Sequence, residues 1–305
     1  MQSRFRSDRR LTVRMGVTLF LLGLLYVVFV AALIVLLKSW VLVVVLAAAL
    51  LAAQYWFSDR IALYAMHGRI VEREEYPELH GVIDRLCAVA DMPKPVVAVS
   101  DIDMPNAFAT GRNANNAVVC VTTGLLRRLE PAELEGVLAH ELSHVAHKDV
   151  AVITVASFLG VIAGLMVRFA FYSQLFRGRK DQNTLAVFAG IMGISAAVYA
   201  ISFLLIRALS RYRELAADRA AALLTGRPSA LASALTKVDG DIARIPTKDL
   251  RTAQAFNAFY FSPALGAEPG ITRFFSTHPS LEQRLDQLGR ISAELGEAAT
   301  PGKAG

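Results

Sequence analysis

The 305 residues predict a mainly α-helical chain with a small β-sheet, divided between long apolar runs and polar, domain-forming stretches. Three observations carry this prediction. The composition is 54% hydrophobic and only 19% charged, with mean hydropathy +0.43, and the apolar residues fall into four separate runs. Two short segments, Val96–Val99 and Val118–Thr123, are β-branched and read as strands. Most of the remainder has apolar residues at helical spacing, including a helix that contains His-Glu-x-x-His.

The first apolar run, Gly16–Leu37, is closed by Lys38, and the second, Val41–Phe57, carries Gln54 as its strongly polar residue. About 20 apolar residues cross a bilayer core. Trp40, Tyr55 and Trp56 sit where interfacial aromatics belong, and Lys38-Ser39 leaves room for a tight hairpin. The first run is too long for the core of a cleaved signal peptide, and another span follows at once. A second pair follows: Val150–Val167, ended by Arg168, and Leu185–Ile206, ended by Arg207. For this pair a buried helical hairpin in a soluble core is the alternative, since Gly160, Gly164, Gly190 and Gly193 suit close helix packing in either solvent.

Basic residues orient the spans. Arg4, Arg6, Arg9, Arg10 and Arg14 stand against a single Asp8, which keeps the N-terminal tail cytoplasmic. Arg60, Arg69 and Arg73 agree, as do Arg207, Arg211 and Arg213; the basic 177–180 loop would face outward, against the rule. The net charge of +6 therefore reads as topology and contact with anionic lipid, not as nucleic-acid binding. Cys87 and Cys120 lie in segments expected to be cytoplasmic and read as reduced core residues. The expected organisation is a tail and first hairpin over 1–59, a catalytic part over 60–149, a second hairpin over 150–209, a second catalytic part over 210–295 and a disordered tail over 296–305.

In the polar stretches, Pro77 opens a helix that runs to Ala90, and Asp91-Met92-Pro93-Lys94-Pro95 is a turn. The two strands follow, separated by the Asn/Gly-rich loop from Gly111 to Asn116. Pro131, Glu130 and Glu133 mark a helix start. Further helices are expected over Ser210–Leu224, stopped by Gly226 and Pro228, over Ser229–Ile242, and over Pro279–Leu295.

His140-Glu141-Leu142-Ser143-His144 lies in the helix that Pro131 opens. Imidazoles four residues apart share one helix face, so His140 and His144 can bind a single zinc ion, and Glu141 is placed to take a proton from the water the metal activates. The alternative is an amphipathic helix with two ordinary surface histidines. A catalytic zinc site has three protein ligands. Glu214 and Asp218 share a helix face and supply one candidate, with the other carboxylate free to hold a ligand imidazole. Ordinary i,i+4 ion pairing explains the same residues, and His147 and His278 compete for the ligand role.

At this point the sequence resembles the HtpX-like membrane zinc metallopeptidases, relatives of the CAAX prenyl proteases. The resemblance rests on Pro105-Asn106-Ala107-Phe108-Ala109-Thr110-Gly111, Val121-Thr122-Thr123-Gly124-Leu125-Leu126, the HELSH motif, Arg213-Glu214-Leu215-Ala216-Ala217-Asp218 and Ser276-Thr277-His278-Pro279-Ser280, in the family's order and over nearly the whole chain. It implies a gluzincin-like domain binding one zinc ion through His140, His144 and Glu214, with Glu141 as general base and Asp218 supporting a ligand. It also implies that 117–122 is an edge strand on which an extended substrate pairs, so that Val118, Val119 and Val121 touch substrate and Asn106 shapes the cleft wall. His278 is the candidate for stabilising the oxyanion, with capping of the following helix as its alternative role. The expected activity is endopeptidase cleavage of misfolded or damaged membrane proteins at the bacterial inner membrane, catalytic domain inside. A CAAX-type prenyl-peptide protease and a non-cleaving binder of unfolded chains are the competing readings.

Overall fold

The computed structural model describes residues 9–37, 66–111, 113–147, 149, 182–242 and 278–296, with isolated positions at 45, 48, 49, 52, 56 and 63. The expected spans Val41–Phe57 and Val150–Val167, the 177–180 loop and the C-terminal tail from 297 lie outside the described residues, those isolated positions aside. The chain divides into two compact units, one built from 1–12, 58–150 and 211–305 and the other from 13–57 and 151–210.

The first unit holds a four-stranded mixed sheet. Its strands are β1 (Gly68–Ile70), β2 (Val96–Ser100), β3 (Ala107–Thr110) and β4 (Val118–Thr122), in the order β1-β2-β4-β3. β2 and β4 run parallel, while β1 and β3 pair antiparallel with them at the two edges. The two β-branched segments are thus the central strands. β1 and β3 were not expected from the sequence: β1 is three residues of Gly-Arg-Ile, and β3 is Ala-Phe-Ala-Thr, too poor in β-branched residues to stand out.

β4 was expected at an edge and is instead interior, hydrogen-bonded on both sides. Val118, Val119 and Val121 are buried in the core at 8%, 0% and 0% exposure. Their main-chain groups already serve the ladder, so these three residues cannot pair with a substrate. Among the described residues the edge beside β4 is β3.

Two glycines make the sheet connections possible. Gly111 ends β3 at φ +130°, and a Cβ there would lie 2.3 Å from the Asn116 carbonyl oxygen. Gly124 follows β4, and a Cβ there would lie 1.9 Å from the Asp103 carbonyl oxygen. Among the described residues the unit also holds five α-helices, α2 (Pro77–Ala90), α3 (Thr123–Arg128), α4 (Pro131–Ala146), α6 (Pro228–Ile242) and α7 (Leu281–Leu295), with most of α1 (Arg9–Leu37) and of the 44-residue α5 (Gln182–Thr225) belonging to the second. α4 packs against β3, α2 and α6, and α6 packs against α7. Ile83, Val119, Leu125, Leu138, Leu142 and Leu231 are fully buried where these elements meet.

Glu133 fixes where α4 begins. Its carboxylate accepts the Glu130 backbone N–H at 2.9 Å, the Ser233 hydroxyl at 2.6 Å and the Lys237 ammonium at 2.7 Å. One side chain thereby caps α4 and ties it to α6. α7 starts at Leu281 because Ser280 is its N-cap, with Gln283 completing a capping box; His278 is therefore not the cap. Both cysteines are free and buried, and burial pushes their thiols up to about 11 for Cys87 and about 12 for Cys120, which makes them core residues, as expected.

In the second unit, α1 covers the first apolar run. The apolar run Leu185–Ile206 and the helix expected from Ser210 are one continuous helix, α5, because no glycine or proline interrupts Ile206–Arg213. Residues of α5 from Arg211 onward belong to the first unit. Among the described residues, two stretches are long and apolar enough to cross a membrane, Val13–Ala31 and Ala189–Thr225. Only 17% and 22% of their apolar windows are buried, whereas a core helix of a soluble protein would be mostly covered. Phe20, Val27 and Leu204 are among the exposed side chains. Arg207, Arg211, Arg213 and Glu214 end the apolar part of α5 near Ile206.

The two kinds of glycine predict opposite responses. Gly124→Ala is expected to destabilise by about 1–3 kcal/mol, since the new methyl meets fixed backbone. Gly240→Ala, at an exposed α6 position with nothing within 4 Å, is expected to stabilise by about 0.5–1 kcal/mol. Unfolding midpoints of the two variants beside the parent check both signs.

Candidate metal centre

α4 brings His140, Glu141 and His144 to a buried point, and the first-unit part of α5 brings Glu214 to the same point. His140 is 1% exposed, Glu141 5%, His144 8% and Glu214 6%. The Nε2 atoms of His140 and His144 lie 3.2 Å apart. Glu214 Oε2 is 3.4 Å from His140 Nε2, and its Oε1 is 3.5 Å from His144 Nε2. Zinc–ligand bonds of about 2.0–2.1 Å place the donor atoms of a tetrahedral ion about 3.3–3.4 Å apart. Each of these separations matches that spacing, with a different Glu214 oxygen facing each imidazole, and the three residues are the one potential metal-binding group of three among the described residues. The alternative of two surface histidines is excluded by their burial.

Charge bookkeeping at this point also calls for a cation. Glu141, Asp149, Glu214 and Asp218 are buried carboxylates, and the guanidiniums packed among them are Arg213 and Arg284. With all four carboxylates ionised and the His140, His144 and His278 rings neutral, the cluster would hold two negative charges more than positive ones, which a divalent ion would neutralise. Without the ion the pocket recruits a proton. Burial alone would lower the His140 pKa, but the Asp218 and Glu214 carboxylates outweigh it and push it up to about 9. Glu214 is opposed by burial yet held well below the usual carboxylate range by the imidazoles of His278, His140 and His144.

The remaining ring nitrogens are engaged as well. His140 Nδ1 lies 2.9 Å from Asp218 Oδ1, and Arg284 donates to both Asp218 oxygens, Nε at 2.7 Å and Nη2 at 2.6 Å. His144 Nδ1 lies 2.6 Å from Asp149 Oδ2, and Arg213 Nε is 3.1 Å from that same oxygen. Asp218 thus faces the Nδ1 side of the His140 ring, away from the Nε2 that meets Glu214. His147 ends α4 with its backbone N–H on the Ser143 carbonyl and is outside the donor set. Asp149 and Arg284 were not singled out from the sequence, and Arg213 was read as part of a basic flank and a family motif, without a role in the site. Arg284 is 66 residues from Asp218 in the chain, so no spacing pattern could have linked them.

Glu141 Oε2 accepts the Ala109 backbone N–H at 2.9 Å. This ties the middle residue of the motif to edge strand β3. Burial raises its pKa, partly opposed by the nearby imidazoles. His278 is 6% exposed, with Nδ1 3.3 Å from Glu214 Oε2, so its ring stands beside the third carboxylate. Asn106, fully buried, heads β3; its backbone N–H donates to the Thr122 hydroxyl at 2.9 Å, and its carbonyl accepts the Thr122 N–H at 2.9 Å.

A metal that replaces the His140 proton must release it. Zinc binding at pH 7.5 is therefore expected to liberate protons, with apparent affinity falling up to about tenfold per pH unit below about 9. Calorimetric titration of metal-free protein in buffers of different ionisation enthalpy measures the released protons directly; a buffer-independent heat would contradict the assignment.

Comparison with known proteins places this arrangement. The family model for peptidase family M48 matches residues 73–292. The chain is 87% identical over 304 residues to "Protease HtpX homolog 1" of Streptomyces coelicolor, covering 100% of both chains. It is 50% identical over 298 residues to "Protease HtpX homolog" of Moorella thermoacetica, covering 97% of this chain and 99% of the relative. Among solved structures, the crystal structure of S. mikatae Ste24p aligns with a TM-score of 0.51 at 18% identity, over 92% of this chain and 67% of that one, a likeness of fold. The matched segment spans every residue from Asn106 to Arg284 that builds the pocket, and on that evidence the chain belongs to peptidase family M48.

Proposed function

We propose that this chain is a membrane-embedded zinc endopeptidase that hydrolyses peptide bonds of misfolded or damaged membrane proteins. The observation that carries the reading is the convergence of His140, His144 and Glu214, the two Nε2 atoms 3.2 Å apart and each 3.4–3.5 Å from a Glu214 oxygen, in a pocket rich in buried carboxylates. One zinc ion per chain would be held there. Bound zinc supplies Lewis acidity, which makes a coordinated water acidic enough to ionise near neutral pH and polarises a carbonyl.

The protein groups do the rest. Glu141 receives the water proton and later delivers it to the leaving amine, and its raised pKa suits a group that must hold a proton between the two transfers. Asp218, held by Arg284, keeps the His140 ring turned towards the metal position. His278 is proposed to donate to the developing oxyanion, from its place beside Glu214.

The substrate is proposed to lie along β3, not β4. The Ala109 N–H points away from β4 and towards Glu141, so this strand presents its unpaired edge to the catalytic helix. Alternate residues of a strand face the same way, which puts the Ala107 main chain on that edge too. An extended peptide pairing there is recognised through its backbone, and recognition of that kind is tolerant of sequence. Asn106 would then lie at the head of this wall.

The membrane placement rests on the exposed apolar faces of α1 and α5 and on the basic N-terminal flank, which together support an inner-membrane protein with the catalytic unit in the cytoplasm. In the chain, Val150 follows His144 within two helical turns, and Ile206 precedes Glu214 by a similar distance. Substrates close to the bilayer fit that spacing. Trimming of prenylated peptides is the weaker reading, because the likeness to Ste24p is one of fold at 18% identity while the closely similar sequences carry the HtpX name.

The deciding comparison is hydrolysis of an unstructured polypeptide by the zinc-loaded, detergent-purified chain beside Glu141→Gln. The variant is expected to bind zinc and to lose about 10²–10⁴-fold in kcat. Equal turnover by both, with zinc bound, would rule out Glu141 as the base; no turnover by either would favour a non-cleaving binder.

A further inference from the structure

Each metal-facing imidazole in the pocket turns its second nitrogen to an aspartate that is itself held by an arginine. For His140 these are Asp218 and Arg284. For His144 they are Asp149 and Arg213, residues for which the sequence reading had no role in the site. We propose that Asp149 and Arg213 form a positioning pair that fixes the His144 ring with Nε2 at the metal position, a role that rests on the zinc reading above.

The geometry is specific. Asp149 Oδ2 lies 2.6 Å from His144 Nδ1 and 3.1 Å from Arg213 Nε, so one oxygen serves both partners. Arg213 Nη2 is also 3.5 Å from His144 Nδ1. The side chains are nearly dry, 4% exposed for Asp149 and 10% for Arg213. A carboxylate on Nδ1 selects the tautomer whose Nε2 lone pair is free, sets the ring plane and raises the basicity of the ligand nitrogen. Arg213 offsets the cost of burying the Asp149 charge.

The pair also joins two parts of the centre. Asp149 lies just past α4, which carries His140 and His144, and Arg213 precedes the third ligand Glu214 by one residue on α5. An ion pair between them holds the two ligand-bearing segments in register. A purely structural ion pair would do this last job alone, leaving the metal's affinity unchanged once the chain is folded.

The experiment uses the full-length chain in detergent and measures three quantities: zinc Kd by competition with a chelator, the visible spectrum of the cobalt(II)-substituted protein, and the unfolding midpoint after chelation. Asp149→Ala is expected to weaken zinc binding about 10–100-fold and to shift the cobalt bands. Asp149→Asn, which retains an acceptor oxygen, is expected to recover part of the affinity. If Asp149→Ala does not fold, Asp149→Asn and Arg213→Lys carry the test: zinc binding weaker than the parent's supports the role. Variants that bind zinc with the parent's Kd and give the parent's cobalt spectrum overturn it, whatever happens to the midpoint. A parent chain that binds no zinc brings down the metal reading and the positioning role together; tight binding by parent and variants alike removes only the latter.

Discussion

Burying Glu141, Asp149, Glu214 and Asp218 side by side costs several kcal/mol per charge unless each is compensated. Two arginines compensate two of them, and the imbalance that remains organises the first unit. It raises the pKa of His140 to about 9 in the absence of an ion, and it makes the same pocket a receptor for a divalent one. A shell that stores negative charge against repulsion must be rigid, and the surrounding structure provides that rigidity. α4 is capped and tied to α6 through Glu133, and Asp218 is gripped by the Arg284 fork from α7.

The division of labour among the elements follows. α4 supplies the two imidazoles of His140 and His144 on one face, because a four-residue spacing repeats that face, with Glu141 beside them as the proposed base. α5 supplies the third carboxylate and, one turn later, the aspartate that orients His140. β3 supplies no metal ligand but meets Glu141 through the Ala109 N–H. Glu141, the proposed general base, is thereby anchored to the strand along which a peptide substrate is proposed to lie, so that one piece of backbone would set the positions of both base and scissile bond.

The correction at β4 has a plain physical origin. A short β-branched run such as Val118-Val119-Cys120-Val121-Thr122 reads the same whether it is paired on one side or on both, since side-chain chemistry is blind to main-chain hydrogen-bonding partners. It was the family resemblance that implied an edge at 117–122 open to substrate. The neighbour that covers it, Ala107 to Thr110, has small, weakly β-forming residues and is recognisable as a strand only once it is docked. The same blindness joined Leu185–Ile206 and Ser210–Leu224 into one helix where two had been expected: the change from apolar to charged at Arg207 marks a change of surroundings, not of backbone.

By itself, the sequence determined what is local. It set the helix carrying His-Glu-x-x-His, since capping residues and apolar spacing lie within one segment. It set the pairing of Glu214 with Asp218 on one helix face, the existence of the two β-branched strands and the turn after α2 that begins at Asp91, while the family resemblance implied the ligand set. What only the tertiary structure decided is everything that depends on chains meeting across long separations. It chose Glu214 over His147 and His278 by placing its oxygens 3.4 and 3.5 Å from the two imidazoles. It recruited Arg284 to Asp218 and brought Arg213 to Asp149, and it put β3 outside β4. Periodicity and capping are properties of neighbouring residues, whereas ligation, charge balance and strand order are properties of the packed interior, which no stretch of the sequence contains.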